Sequence, residues 1–152
     1  MKMYILLLLV LSFVFEPTLA NNDDETGIRV SLINLISTPE RYHGKFVFVS
    51  GYAEIEYENN VLCFSEKPLS SKDCLWIDIG EDVFDHGSND ESIKKLNDIE
   101  DYWGKFNKKK ISLRGYFDME NDGHFGSSSG GIKKIREVYL FTPQGVEKSS
   151  PP

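Results

Sequence analysis

Hydrophobic and polar residues alternate in several short segments of the chain, and turn-forming residues separate these segments. Segment 46–56 shows the pattern most clearly, because Val47, Val49 and Gly51 share one face at every second position. Alternation of this kind is typical of β-strands with one buried face. The same pattern predicts further strands over 61–65, 74–79, 110–120 and 132–141.

Two other segments repeat apolar residues every three or four positions, as amphipathic helices do. The first begins after Ser31, a favoured N-cap residue, and ends at Pro39, which disfavours helix in the residue before it. The second begins at Asn89 or Asp90 and lies between the third and fourth predicted strands. Its apolar positions are Ile93, Leu96, Ile99 and Trp103.

One spacing of residue types occurs twice, and the repeat bears on how the strands are arranged. Residues 42–56 align with residues 106–120, and each stretch has a mid-strand glycine, Gly51 in the first and Gly115 in the second. A glycine in such a position usually marks a bulge, a sharp bend or a close approach of two backbones. We therefore expect the two stretches to lie side by side in one closed sheet.

The order of the elements predicts the fold class. Three strands, a helix and two more strands are the order of the OB-fold, a five-stranded barrel. We expect an all-β domain with one or two short helices, a five-stranded OB-fold-like barrel over residues 30–141. A β-sandwich is the alternative, but it does not account for the helix between the third and fourth strands.

The N-terminus has the layout of a secretory signal peptide over residues 1–20. Lys2 supplies the positive charge, the apolar run covers 5–15, and Ala20 provides a small residue at the expected cleavage site. The alternative, a membrane anchor, needs roughly 17–25 apolar residues, so we expect no stable membrane insertion after cleavage. The remaining chain would then be secreted or periplasmic.

The segments on either side of the domain are polar. Residues 21–29 are predicted to form a flexible leader, and the Pro- and Ser-containing residues 142–152 a disordered tail. The formal net charge of −7 makes nucleic acid an improbable partner, because such binders cluster Lys and Arg against phosphates.

The two cysteines, Cys63 and Cys74, suggest a disulfide. Export places the chain in an oxidising compartment, where a pair of cysteines tends to be bridged. The alternative is two separate buried thiols, since a free cysteine packs as a small hydrophobic residue. Neither cysteine has the sequence neighbours of a catalytic thiol.

No motif predicts a catalytic residue, a cofactor or a metal site. Residues 126–130 match G-x-S-x-G by letter, but the hydrolase elbow needs a strand before it and a helix after it. Residues 118–123 resemble half of a calcium loop and lack the rest. The alternating Glu54, Glu56 and Glu58 are more typical of the solvated face of an edge strand than of paired catalytic acids.

The candidates for ligand binding are aromatic residues and one histidine. His124 lies in the Gly-rich loop between the fourth and fifth strands, where OB-folds often bind ligands, and Phe125 follows it. Tyr52 and Tyr116 could form a stacking platform for sugars or bases. Trp76 could join them, but its apolar neighbours favour a place in the core.

Segment 30–52 resembles the opening of a family of uncharacterised bacterial OB-like proteins, secreted or periplasmic, in which a short helix precedes the motif NPEKYDGK. Residues 38–45 here are TPERYHGK, and residues 75–78, 123–126 and 131–132 resemble later motifs of that family. The resemblance covers roughly residues 30–137 and implies an OB-like fold and a bacterial origin. It implies no activity, and the two cysteines are not part of its pattern.

These observations favour a non-catalytic binding or interaction module whose partner is a protein or glycan of the cell envelope or outside the cell. The alternative is an envelope-directed hydrolase that uses acidic residues at strand ends together with His124. A binder of single-stranded nucleic acid is the third possibility, and the acidic charge of the chain disfavours it.

Overall fold

A computed structural model describes residues 26–56, 58–80 and 90–152 of the chain. The predicted signal segment 1–20 and residues 21–25 of the predicted leader lie outside the described residues. So do Tyr57, a further aromatic residue of the first hairpin, His86, a histidine of a predicted loop, and Asn89, one of the two predicted starts of the second helix.

The described residues form seven strands and two α-helices, in a mostly β structure. In chain order they are β1 (Ile28–Arg29), α1 (Leu32–Ser37), β2 (Phe46–Glu56), β3 (Asn59–Cys63), β4 (Cys74–Ile77), α2 (Asp90–Gly104), β5 (Lys109–Asp118), β6 (Gly131–Thr142) and β7 (Gly145–Ser149). Each strand and helix predicted from the sequence is present, with ends shifted by up to two residues. Ser31 caps α1 as predicted, because its side chain accepts a hydrogen bond from the backbone N–H of Asn34.

Five of the strands close into a ring in the order β2, β3, β4, β6, β5 and back to β2. Phe46–Ala53 pairs antiparallel with Lys109–Tyr116, so the two stretches with the repeated spacing lie side by side, as predicted. The contact between β4 and β6 is parallel and short. It has two registered pairs, Trp76 with Gly131 and Ile77 with Ile132.

The two mid-strand glycines allow neighbouring backbones to come close. A Cβ on Gly51 would lie 2.8 Å from the carbonyl oxygen of Cys63, and one on Gly115 would lie 2.9 Å from that of Lys133. Real Cβ atoms essentially never come so near, so both positions exclude a side chain. The pairing of β5 with β6 shifts register between Arg114 and Tyr116, and this irregularity is the bulge that a glycine predicts.

The main core lies inside the ring and extends to both helices. Inward-facing residues of the strands, among them Val47, Leu75 and Leu113, are fully buried. Leu35 of α1 and Trp103 of α2 belong to the same cluster. Ile93, expected on the apolar face of α2, is half exposed instead, because the contacts of α2 with the core are made from Leu96 onward.

Cys63 and Cys74 form a disulfide, with their Sγ atoms 2.06 Å apart. The two residues are registered partners on β3 and β4, and both are about 2% exposed. The backbone N–H of Phe64 donates to the carbonyl of Asp73, so the cross-link and this hydrogen bond together close the loop between the strands.

Both flanking segments contain a strand that their polar sequences do not predict. Ile28–Arg29, assigned to the flexible leader, forms β1 and pairs parallel with β2, where the guanidinium group of Arg29 lies over the Phe48 ring. Gly145–Ser149, assigned to the disordered tail, forms β7 and pairs with β6. The hydroxyl groups of Ser149 and Tyr102 are 2.7 Å apart, which fixes the end of β7 to α2. The prediction of disorder over 145–149 is therefore wrong.

Strand β2 has β3 on one side and β5 on the other, but its pairing with β5 ends at Ala53. Glu54 and Glu56 lie beyond that point and pair with β3 alone, so this end of β2 is locally an edge, as expected. As for the membrane, the two described helices are either too short or too polar to span a bilayer.

Candidate functional site

A cleft of about 590 Å³ lies where the β2–β3 hairpin, the end of β4 and helix α2 meet. Its size is within the range of small-molecule and peptide sites. The lining residues come from four parts of the chain: Ile55, Glu56, Glu58 and Asn60 from the hairpin, Trp76, Asp78, Ile79 and Gly80 from β4 and its extension, Leu96, Ile99, Glu100 and Gly104 from α2, and His124 from the loop before β6.

Trp76 provides the large aromatic surface of this cleft. Its neighbours Leu75 and Ile77 are fully buried inside the ring, so alternation turns the indole to the outer face of β4. There it packs beside a small cluster formed by Val61 and the disulfide, and it is only partly buried. The interpretation of Trp76 as a residue of the main core is therefore corrected: its face was ambiguous in the sequence because both neighbours are apolar.

The loop between β5 and β6 is shaped around the indole of Trp76. Gly123, with φ of +71°, lies against the ring, and a Cβ there would come within 2.5 Å of it. His124 follows and meets the indole edge-on, with ring centroids 5.3 Å apart. Phe125 is 99% exposed and has a φ of 58°, a left-handed conformation that costs energy in a residue with a side chain.

Lys72 connects this loop to the disulfide-closed loop between β3 and β4. Its Nζ donates to the carbonyl oxygens of Gly126 at 2.8 Å and Ser128 at 2.7 Å. In return the hydroxyl of Ser129 donates to the carbonyl of Lys72 at 2.9 Å. Lys72 cannot be identified from the sequence, because a single lysine in a polar loop carries no local signal of such contacts.

Among the described residues that line the cleft, every Asp, Glu, Lys or Arg is acidic. Four carboxylates, those of Glu56, Glu58, Asp78 and Glu100, face no Lys or Arg among the other lining residues. Glu56 is also ion-paired with Lys108, a residue that does not line the cleft. The two charged atoms are 3.5 Å apart and both side chains are well exposed, so the pair contributes little to stability. Asn121 donates to Asp78 at 3.4 Å.

The structure separates the four predicted binding residues. His124 and Phe125 are neighbours on one loop, with ring centroids 6.1 Å apart, and His124 lines the cleft. Tyr52 lines a second, smaller cavity of about 320 Å³ instead. Tyr116 packs on Phe46, with ring centroids 5.1 Å apart, and neither tyrosine is among the residues that line the cleft.

Asp118, at an acidic strand end, is ion-paired with Lys133 and lies near His43. Lys133 donates to its carboxylate at 2.5 Å and His43 lies 3.5 Å from it. The hydrogen bond from Lys133 is the largest effect, and it lowers the pKa of Asp118 below its ordinary value. A carboxyl group held in its charged form is a poor general acid, and Asp118 does not line the cleft.

The remaining sequence motifs gain no catalytic geometry. Strand β6 follows residues 126–130, so the strand–turn–helix context of a hydrolase nucleophile is missing there. Among residues 26–56, 58–80 and 90–152, no three histidine, cysteine or acidic side chains are grouped as they would be to hold a metal ion.

Comparison with known proteins found no match for this chain among family models, curated sequences or solved structures.

Proposed function

We propose that this chain is an exported OB-fold-like module that binds a ligand in the cleft beside Trp76. The ring order supports the OB assignment, since strands one to five of that fold correspond to β2, β3, β4, β5 and β6. Strand β4 pairs parallel with β6, and α2 lies between the third and fourth strands of the ring. OB-folds bind ligands on the face of strands two and three, between the first and last hairpin loops.

The observation that carries this proposal is the partly exposed indole of Trp76 in the cleft. A tryptophan that only completed a core would be covered, whereas here a glycine and a histidine cover part of the ring and the cleft stays open beside it. The fully exposed Phe125, on the same loop, gives a ligand a second aromatic contact at the edge. The partner we expect is a protein or glycan of the cell envelope or outside the cell.

Two tryptophans of very different exposure make the proposal testable by fluorescence. Trp103 is 1% exposed, so a Trp103→Phe variant leaves Trp76 as the single reporter. We expect envelope glycan fragments or peptides that bind to shift the emission of Trp76 and to protect it from acrylamide quenching. The matched control is Trp76→Phe with Trp103 retained, whose emission should not respond. Ligands that instead perturb amide signals around Tyr52 or Tyr116 would contradict the assignment of the cleft.

A hydrolase is the second candidate, and one observation favours it: His124 and Glu56 line the same cleft. It predicts turnover of an envelope glycan or peptide that is lost in Glu56→Gln and in His124→Ala while the fold is retained. Asp118→Asn should leave such turnover unchanged, because that carboxylate is paired outside the cleft. Equal turnover in all three variants would exclude this mechanism.

A further inference from the structure

Six aromatic rings among the described residues are paired with cations, and Trp76 is not one of them. Arg136 lies 4.8 Å from the centroid of Phe46, and Arg29 lies 4.9 Å from that of Phe48. Further pairs of this kind involve the rings of Tyr102, Tyr116, Tyr139 and Phe141. Within the part of the chain that the structure describes, no Lys or Arg lies over the Trp76 ring. Yet indole is the best of the aromatic side chains at attracting a cation.

The charge of the cleft points to the same kind of ligand. Its four described lining carboxylates belong to three elements, the β2–β3 hairpin, β4 with its extension and α2, so they are spread over the lining of the cleft rather than confined to one strand. A concave site lined by one sign of charge concentrates its field and attracts the opposite charge. An anionic ligand such as a nucleic acid would be repelled by the four carboxylates that the described part of the chain places in the cleft lining.

We propose that the cleft takes an organic cation, an alkylammonium or guanidinium group, which lies against the indole of Trp76 and is neutralised by the surrounding carboxylates. This inference rests on the proposed function of the cleft as a binding site. Two sources can present that group: a free polyamine, or a Lys or Arg side chain of an extended peptide. A volume of about 590 Å³ has room for the cation together with a stretch of the chain that carries it.

The experiment uses the mature Trp103→Phe protein, with Trp76 emission as the readout. It is titrated at low salt with spermidine, with trilysine and triarginine, with triglutamate of the same length and with a neutral chito-oligosaccharide. We expect saturable responses to the cations, none to triglutamate, and affinities that fall as salt is added. Tighter binding of the peptides than of spermidine identifies a peptide segment as the source, and the reverse identifies a free polyamine.

Variants show whether the cation binds at the carboxylates of the cleft. Glu58→Gln and Glu100→Gln each remove one lining charge, and each should weaken cation binding roughly two- to fivefold, as loss of an exposed ion pair does. Glu147→Gln is the matched control, because it removes the same charge from exposed strand β7, and its affinity should not change. Calorimetry of Trp76→Leu, which has lost the reporter, should show cation binding weakened or absent.

Three results would overturn the inference. Equal weakening by Glu147→Gln and by the cleft variants would mean that the cations only screen the net charge. A response of Trp76 to the oligosaccharide and not to the cations would reject the cation but retain the cleft as a binding site. No response to any ligand, with no calorimetric heat, would reject both the cation and the proposed function.

Discussion

At Gly51 and Gly115 a neighbouring strand comes so close that a side chain has no room. Their matching positions in the repeated spacing indicate strands that bend or approach a neighbour. The structure shows the reason at each site, a carbonyl oxygen less than 3 Å from where a Cβ would be. A position where the neighbouring backbone leaves no room for a Cβ atom can be recognised in a sequence, because only glycine has no side chain.

Replacing Gly115 by alanine should destabilise the protein by about 1–3 kcal/mol, the usual cost of forcing extra atoms into a packed region. The new methyl group would meet the carbonyl of Lys133 and the side chain of Ile132, and backbone cannot move away as a flexible side chain can. Denaturant unfolding measures the change. Gly104→Ala is the control, since no atom lies within 4 Å of its Cβ position, and its stability should be equal or slightly higher.

Glu137 is the centre of a charged network on the outer face of the sheet. Arg114 donates to its carboxylate at 2.6 Å, Tyr139 donates at 2.5 Å, and Lys148 of β7 is ion-paired with it. Burial alone would raise the pKa of Glu137, but the hydrogen bonds from Lys148 and Tyr139 and the charge of Arg114 outweigh it. They lower the pKa from 4.5 to about 2.

This network predicts a pH-dependent contribution to stability. Because the pKa of Glu137 is lower in the folded state, its contribution is complete above about pH 4.5 and is lost as the pH falls towards 2. Glu137→Gln should therefore cost about 1–2 kcal/mol at pH 7 and less at pH 3. Urea unfolding at both values, with Glu147→Gln as the control, measures the difference. A cost that does not shrink at pH 3 would show that packing, and not charge, explains the loss.

Of the predicted binding residues, His124 lines the cleft and Phe125 follows it on the same loop, whereas Trp76 lies on the outer face of β4 and not in the main core as expected. The position of these two residues in a loop could be predicted, because their Gly-rich segment is typical of a connection between strands. The alternation of apolar and polar residues does not show which face of β4 carries Trp76, since the surrounding cysteine, leucine and isoleucine would suit either face. Its role depends on which atoms the distant loop brings over it, and no local pattern contains that information.

At the level of elements, the five strands of the ring and the two helices could be predicted from the sequence, whereas the flanking strands β1 and β7 could not. The ring strands bury one face, so their alternation is recorded in the sequence. Strand β7 is exposed along most of its length and has no apolar face to record. It is held by partners distant in sequence, such as Glu137 and Tyr102, which only the assembled fold supplies.

Hydrogen exchange distinguishes a paired β7 from a disordered tail. We expect the amides of residues 145–149 that bond to β6 to exchange more slowly than those of residues 150–152. The Ser149→Ala variant loses the contact with Tyr102 and should show faster exchange across β7. Uniformly fast exchange over 142–152 would support the tail that the sequence suggested.

The disulfide joins β3 to β4, and its loss should affect two loops. The double variant Cys63→Ala/Cys74→Ala should lose about 2–3 kcal/mol, as expected for a loop of this length. Because Lys72 holds the loop of His124 from inside the cross-linked segment, the His124 ring signals should also broaden or shift in NMR spectra. A Lys72→Met variant should reproduce the spectral change with a smaller loss of stability.

At the level of the whole molecule, export remains a prediction from residues 1–20. Intact mass of the protein recovered outside the cytoplasm should correspond to a chain that begins at Asn21 and is two mass units lighter than its reduced form. A full-length chain that begins at Met1 and stays in the cytosol would contradict the signal peptide. The composition and N-terminal pattern allow this prediction without any knowledge of the fold.

In a closed sheet, the contact between strands with the fewest paired residues is expected to be the weakest. Here that contact joins β4 to β6 through two registered pairs, and the backbone hydrogen bonds from Trp76 to Gly130 and from Asp78 to Ile132 are its main ties. Local opening of the ring should therefore begin at the contact between β4 and β6. Trp76 lies on one side of this contact and the His124 loop leads into the other, so a molecule bound in the cleft would hold the two strands together and make the ring open less often.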